Sequence, residues 1–480
     1  MSYFGYITQL KNVRPHPNAD RMKLADCFGN TVCVGLDALE DEIVIYFPTD
    51  GQLSAEYCEH NNLVRKKDDA GNNIGGYMDP DKRNVKAIKL RGEKSDGLVM
   101  PLNSLDYTGV SLHDLVVGTR IDVVNGHEIC KKYIPRTNVR HGNVSEGNRT
   151  RKKKAPIAPT FSEHADTEQL AYNLGAFKSG DEVEITLKMH GTSQRTGYLP
   201  VLKGWHNTHS FWNKILHCVN PNKPMGKLTE KLYNKALRDA TPIYDYGYVS
   251  GTRRTVLENY DGGYYGSNEF REQHSKFFEG KLWKGETVYY EVVGFTHTGT
   301  PIMASCNNKK LNDKEFVKQY GEETVFSYGC APAVLYFDDT DGRNQCVKGQ
   351  SDIYVYRMTM TNEDGDAVEY TPDFMRYRCE QMGVKTVPVF WKGVIPENPG
   401  SADDDTIAPG EWVKNVAERF YDGPDPIGKT HVREGVVARI LNRPKFCAYK
   451  HKNFAFKVLE GIIKEVAEAP DMEEAQDVEH

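Results

Sequence analysis

Residues 182–195 read EVEITLKMHGTSQR, and the fold turns on how that stretch is taken. Val183, Ile185 and Leu187 alternate as a strand with one buried face requires, so Lys188 falls on the opposite face. Directly after it, His190, Gly191, Thr192 and Ser193 signal a turn. The ammonium of Lys188 therefore faces either solvent or a cleft. A solvated lysine ahead of a glycine turn is the commoner arrangement, and HGTS alone does not decide between the two.

At 480 residues the chain has room for about two or three domains, each with its own core. Its 39% hydrophobic and 27% charged content is that of an ordinary globular protein. The net charge of -6 excludes a globally basic nucleic-acid binder, so any phosphate-binding surface must be local. The ten cysteines (Cys27, Cys33, Cys58, Cys130, Cys218, Cys306, Cys330, Cys346, Cys379, Cys447) form no CxxC pair and no compact Cys/His cluster. That spacing argues against a zinc module and for free thiols in a reducing compartment. No apolar run is long enough to span a bilayer, and MSYFGYITQL lacks the basic start and apolar core of a signal peptide. A cytoplasmic protein with no membrane partner is expected.

Short strand-like runs, among them YFGYITQL, TVCVGL, EIVIYFP and GLVMPL, fill residues 1–125 between turn residues such as Pro15, Gly29, Pro48 and Gly97. They predict a small antiparallel barrel. Residues 126–158 read as a flexible basic linker, which from Lys131 to Lys154 carries Lys131, Lys132, Arg136, Arg140, Arg149, Arg151, Lys152, Lys153 and Lys154 against a single acid, Glu146. Such a run is either a solvated connector or a phosphate contact. Residues 159–466 mix strand candidates (EVEITLKM, YGYVSG, TVYYEVVGF, IYVYRMTM, VPVFWKG, EGVVARIL, FAFKVL) with helical stretches at 225–237 and 372–382. This irregular alternation predicts an α+β domain, not a wound βαβ sheet. Residues 396–412 read as a loop and residues 467–480 as an acidic, disordered tail.

Four strings in the second region combine Lys, Glu, Arg and aromatic residues on strand-like runs: KMHGT from Lys188, SGTRR from Ser250, YEVVG from Tyr290, and EGVVAR from Glu434, followed by YKHKNFAFK from Tyr449. In this order they resemble the nucleotidyltransferase motifs of ATP-dependent ligases and capping enzymes, and HG in place of DG resembles the RNA ligase branch. FSEHADTEQL (161–170) and FKVLEGIIKE (456–465) are similar to segments of one RNA ligase family. That family has an N-terminal OB-fold domain, which PHPNADRMKLADC (15–27) and KAIKLRGEKSDGLVMPL (86–102) resemble. The resemblance covers the chain apart from the basic linker, the loop around Asp403 and the tail. It implies an OB-fold-like β-barrel followed by a nucleotidyltransferase (ATP-grasp-like ligase) domain of antiparallel sheets with flanking helices. It further implies an ATP-dependent RNA ligase, a monomer acting on RNA or an RNA-containing nicked duplex, with Mg²⁺ or Mn²⁺.

Activating a 5′-phosphate as an adenylate can proceed by first moving AMP onto a nucleophilic side chain, and a deprotonated lysine amine suits that task. The resemblance gives the attack to Lys188 and nucleotide contacts to His190 and Gly191. Lys450 and Lys452 lie on one face of a strand and can both reach phosphate. Glu291 and Glu434 would hold the metal or the ribose, because Mg²⁺ takes few carboxylates and completes its shell with substrate oxygens. Arg253 resembles the nucleotide-contacting arginine, with Arg254 the alternative. Tyr356 resembles the aromatic that stacks on adenine, with Tyr354, on the same face, the alternative; core packing explains either tyrosine as well. The pattern departs from the ligases at Ser193, where an arginine is common, the nearest one here being Arg195. Residues 203–238, with Trp205, Phe211 and Trp212 among lysines, read as an amphipathic surface helix or as a strand-contacting surface. A GTP-dependent capping-type transferase and a non-catalytic RNA- or tRNA-binding protein are the other readings.

Overall fold

In the computed structural model, residues 3–67, 73–134, 155–219, 226–260, 265, 267–337, 345–399 and 407–465 are described. Most of the basic run (135–154), part of the loop around Asp403 (400–406) and the acidic tail lie outside them.

The run EIVIYFP is apolar at successive positions because its strand, Ile43–Phe47, is covered on both faces. Ile45 and Phe47 enter one core with Ile7, Leu53 and Tyr57. Val44 and Tyr46 enter a second with Leu10, Ala25 and Val32. This strand is central in an antiparallel four-stranded sheet ordered Leu98–Pro101, Ile43–Phe47, Gly5–Gln9, Arg120–Ile121. A three-stranded sheet (Lys11–Pro15, Lys23–Cys27, Asn30–Val34) flanks it, and among the described residues no ring of hydrogen-bonded strands closes. The expected linker begins later than the charge run suggests. Cys130–Lys132 is a strand that pairs with Gly51–Leu53, anchored by the buried side chains of Ile129, Cys130 and Tyr133. Apolar burial at these positions outweighs the lysines between them, so the N-terminal unit extends through residue 134.

Two sheets build the larger region. The first is five-stranded, ordered Glu168–Gln169, Ala448–Lys452, Gly435–Ile440, Glu182–Lys188, Val389–Val394. The second is seven-stranded and centres on Thr192–His206, Glu286–Gly294 and Ser351–Thr361. Between Lys188 and Thr192 the chain crosses from one sheet to the other, so the turn read in HGTS is the crossover. Glycine is required there: a Cβ on Gly191 would lie 2.4 Å from the Val292 carbonyl oxygen and 2.8 Å from Glu291 Cγ.

FAFKVL, expected as a strand, opens the helix Phe454–Glu465. Its apolar residues fit either period over six positions, but Phe456, Leu459 and Ile463 continue at helical spacing and are the ones buried. Asn453 caps the turn, its side-chain oxygen accepting from the Phe456 amide at 3.3 Å. Residues 203–238 are likewise not one helix. The strand runs to His206 and is followed by helices Ser210–Cys218 and Lys227–Arg238. In the expected loop at 396–412, Pro409 starts the helix Pro409–Glu418.

The N-terminal unit docks on the second region through ion pairs Lys457–Asp96 and Lys89–Asp313, each at 2.5 Å. Tyr172 inserts its ring among Tyr6 and Phe28, at centroid distances of 4.7 and 5.1 Å. These contacts set the walls of the cleft described next.

Gly435 has φ +151°, and a Cβ on it would lie 2.1 Å from the His451 carbonyl oxygen and 2.8 Å from Lys452 Cα. Gly435→Ala is expected to lower unfolding free energy in urea by about 1–3 kcal/mol through overpacking. Gly461→Ala, inside a helix with nothing within 4 Å of the new methyl, is expected to raise it by about 0.5–1 kcal/mol.

Candidate active site

Three neighbouring strands place the charged residues. Lys188 ends Glu182–Lys188 opposite Gly435, and Gly435 is in turn opposite Lys452. The residue between the two lysines thus has no side chain, and Glu434, one position earlier, reaches both. Lys188 Nζ lies 2.7 Å from Glu434 Oε1, and Lys452 Nζ lies 3.4 Å from the same oxygen. His190 Nδ1 is 3.4 Å from Glu434 Oε2. The His190 ring is held edge-on between Phe326 and Phe456, and its backbone amide donates to the Tyr328 hydroxyl at 2.6 Å. Lys188 thus faces a cleft.

Glu434 is 3% exposed. Burial alone would raise its carboxyl, but Lys188, Lys452 and His190 override it and hold the group well below the usual carboxylate range. Lys452 is shared with a second carboxylate: its Nζ donates to both oxygens of Glu460, at 2.9 and 2.7 Å. Lys450, on the same face two residues earlier, is pushed down to about 7, first by burial and then by Lys452, Lys132 and Lys188. The cleft therefore holds a fixed carboxylate and a cluster of cations, the electrostatics a polyphosphate requires.

One cavity of about 60 Å³ is lined by Lys188, His190, Gly191, Arg253, Glu291, Glu434, Lys450 and Lys452. The structure so brings together every expected site residue except the stacking aromatic. The Tyr356 hydroxyl is 2.9 Å from Ser193 Oγ, its ring packs against His164, and it does not line this cavity. Tyr354 is 5% exposed and its hydroxyl donates to Asp352. Of the two arginines, both bind Asp166, Arg253 Nη1 at 3.2 Å and Arg254 Nη2 at 3.0 Å, but only Arg253 also lines the cavity.

The departures at Ser193 and Arg195 have a structural cause. Arg195 is buried, with its guanidinium 4.2 Å from the Phe161 ring centroid. It donates to the carbonyls of Phe161, Ser162 and Arg254, so it ties segment 161–162 to the SGTRR turn. Arg271, 0% exposed, donates to the Ser193 carbonyl at 3.2 Å and to Thr192 Oγ1 at 2.5 Å. TSQR thus becomes a buried polar layer behind the Glu291 strand, to which Thr192–Gly197 is paired.

Four charged wall residues were not among the expected site residues: Asp50, Lys132, Asp166 and Glu460. For Glu460 a signal existed in the helical spacing of Phe456, Leu459 and Ile463, which fixes the helix and hence the turn Glu460 occupies. Asp166 lies within FSEHADTEQL. Asp50 and Lys132 come from the N-terminal unit, whose docking no local pattern reveals.

Among the described residues no group of three or more His, Cys, Asp or Glu side chains is placed to hold a metal. Glu291 and Glu434 both line the cavity, and a Mg²⁺-type ion takes one or two carboxylates and completes its shell with water and phosphate oxygens. No described helix is long and apolar enough to cross a membrane.

No family model matches the chain, and no curated protein does. Among solved structures the chain is similar to Naegleria gruberi RNA ligase with PPi, at TM-score 0.49 and 14% identity over 94% of this chain and 97% of that one. A point mutant of that ligase with ATP and Mn gives TM-score 0.49 and 14% identity over 95% and 97%. Another, with AMP and Mn, gives 0.48 and 14% over 94% and 97%.

Lys450 yields a proton-linked prediction. With its ammonium pushed down to about 7, Lys450 is mostly neutral at pH 8. A bound polyphosphate favours the charged form, so binding at pH 8 takes up a proton, and below pH 7 the uptake fades because Lys450 is already charged. Calorimetry of triphosphate binding in two buffers of different ionisation enthalpy should show this uptake in the wild type and its loss in Lys450→Met.

Proposed function

We propose that the chain is an ATP-dependent RNA ligase that joins 3′-hydroxyl and 5′-phosphate ends through a lysyl-AMP intermediate on Lys188. The observation that carries this reading is the Glu434 carboxylate, buried and paired with both Lys188 and Lys452 in a cavity that also holds Lys450, Arg253 and Glu291. A site that only bound RNA would gain nothing from burying a carboxylate between two lysines, because desolvating such a cluster costs free energy that phosphate binding does not need.

In the first step the Lys188 amine, freed of its proton and of Glu434, attacks the α-phosphorus of ATP. The bond to the β-phosphate breaks and pyrophosphate leaves with its electron pair. In the second, an oxygen of the RNA 5′-phosphate attacks the same phosphorus, the N–P bond breaks, and Lys188 recovers its electron pair and a proton. In the third, a 3′-hydroxyl oxygen attacks the activated 5′-phosphate, losing its proton, and AMP departs. Lys450 and Lys452 neutralise the phosphate oxygens, and Arg253, fixed by Asp166, contacts the nucleotide. His190 and Gly191 border the nucleotide phosphate. Glu291 and Glu434 would hold Mg²⁺ or Mn²⁺, which when bound screens the negative charge of the phosphates. Tyr356 remains the proposed adenine contact, with Tyr354, which pairs opposite Glu291, the alternative; Tyr356 would have to leave Ser193 to serve.

The proposal extends to an OB-fold-like, nucleic-acid-binding unit through residue 134, supported by its small antiparallel sheets, and to a nucleotidyltransferase domain over 159–466. It describes a monomeric, cytoplasmic enzyme acting on RNA or an RNA-containing nicked duplex.

The test is transfer of label from α-labelled ATP to the protein with Mg²⁺ or Mn²⁺ present. Wild type should form an acid-labile adduct, Lys188→Ala none, and Glu434→Ala at least about 100-fold less, the scale of losing a principal electrostatic group. Transfer from GTP instead of ATP would mark a capping-type enzyme. RNA binding with neither adduct nor sealing would mark a non-catalytic binding protein.

A further inference from the structure

A second and larger cavity, of about 250 Å³, opens beside the first between the N-terminal unit and residues 166–173. The two share walls, Asp50, Lys132, Asp166, Thr167 and Lys450, but Lys188 lines only the smaller one. The two spaces therefore meet at Lys132 and Lys450. Its own walls are of another kind. Tyr3, Phe4, Tyr6 and Tyr172 supply ring surface, and the Arg120 guanidinium stands 5.9 Å from the Phe4 ring and 5.8 Å from the Tyr6 ring. Glu168, 3.9 Å from Arg120, joins Asp50 and Asp166 as hydrogen-bond acceptors.

This composition suits a nucleoside better than a phosphate chain. Rings and a guanidinium plane are surfaces on which a base stacks, and carboxylates accept from ribose hydroxyls and base amino groups. The volume is just under the range of ordinary ligand pockets, roughly 300–1,000 Å³, and admits a single unstacked unit, not a duplex.

Position supplies the second argument, and it rests on the ligase reading above. Displacement at phosphorus places the entering and leaving groups roughly in line. When Lys188 attacks from its side, pyrophosphate departs on the opposite side; when Lys188 later becomes the leaving group, the RNA 5′-phosphate must enter from that opposite side. The larger cavity adjoins that of Lys188 through their shared walls, which include Lys132 and Lys450, while Lys188 itself lines only the smaller one. We infer that the cleft walled by Tyr3, Phe4, Tyr6, Tyr172 and Arg120 receives the first nucleoside of the 5′-phosphorylated RNA strand, with its phosphate delivered to Lys132 and Lys450. The N-terminal unit so contributes to the second chemical step and to the choice of a ribonucleotide on the 5′-phosphate side.

Two measurements on the full chain test this. In the first, a 5′-phosphorylated RNA with 5-iodouridine as its first nucleoside is bound to wild type and irradiated. Crosslinks should map to Tyr3, Phe4, Tyr6 or Tyr172, and crosslinks confined to other regions, or none, would overturn the inference. This readout needs no adduct, so it stands even if the ligase reading fails. In the second, the rate of AMP transfer from pre-adenylylated enzyme to that RNA is divided by the rate of adduct formation. Tyr6→Leu, which removes the ring but keeps apolar bulk, should lower this ratio about tenfold, the scale of one base–aromatic stack, and Tyr6→Phe should restore it. A ratio unchanged in Tyr6→Leu, or one that rises because adduct formation is what slows, would assign the cavity to the triphosphate instead and sink the proposal. Absence of any adduct in wild type would count against the ligase reading alone, and the crosslink would then decide the cavity.

Discussion

Everything in the cleft depends on one buried carboxylate holding two ammonium groups. Glu434 at 3% exposure would be costly as an isolated charge. With Lys188 at 2.7 Å and Lys452 at 3.4 Å it stays ionised and becomes the fixed point around which the lysines are aimed. A second carboxylate, Glu460, takes the remaining charge of Lys452. Lys450 is driven down first by burial and then by the neighbouring charges of Lys452, Lys132 and Lys188. Lys132, Lys188, Arg253, Lys450 and Lys452, gathered around one small cavity, make a place where an anionic phosphate can be held.

That arrangement imposes constraints on the backbone. Lys188, Gly435 and Lys452 lie side by side on three adjacent strands, and only a residue without a Cβ fits the middle position. Across the cleft, Gly191 lets the crossing chain pass close to Glu291. Behind it, Arg271 and Arg195 fill the layer with donors to backbone carbonyls, while Val288, Tyr290, Val292 and Val293 anchor the strand carrying Glu291 in the main apolar core. Side chains that must hold an orientation are thus set on strands and locked by a surrounding shell, the usual requirement of a pre-organised site.

Much of this was legible because a strand's period of two is a local property. Val183, Ile185 and Leu187 aimed Lys188 away from the core, and the spacing of Lys450 and Lys452 put them on one face. Where the period was ambiguous the reading slipped: over its six residues FAFKVL fits a strand's period of two as well as a helix, and taking it as a strand hid Glu460. Charge misled at Lys131 and Lys132, because the burial of Ile129 and Cys130 that anchors them is visible only once Gly51–Leu53 is known to be their partner. Asp50 and Lys132 reach the cleft through docking of two units far apart in sequence, which no window of residues encodes. Tyr356 shows the converse: its strand position was read correctly, yet Ser193 and His164, remote in sequence, decide where its hydroxyl and ring lie.

The central claim is that Lys188, not either lysine of YKHK, is the nucleophile. Tandem mass spectrometry of peptides from protein incubated with ATP and Mg²⁺ addresses it directly, since the Glu434-centred geometry predicts AMP on the Nζ of Lys188 alone. AMP on Lys450 or Lys452, or on no lysine at all, would contradict the account.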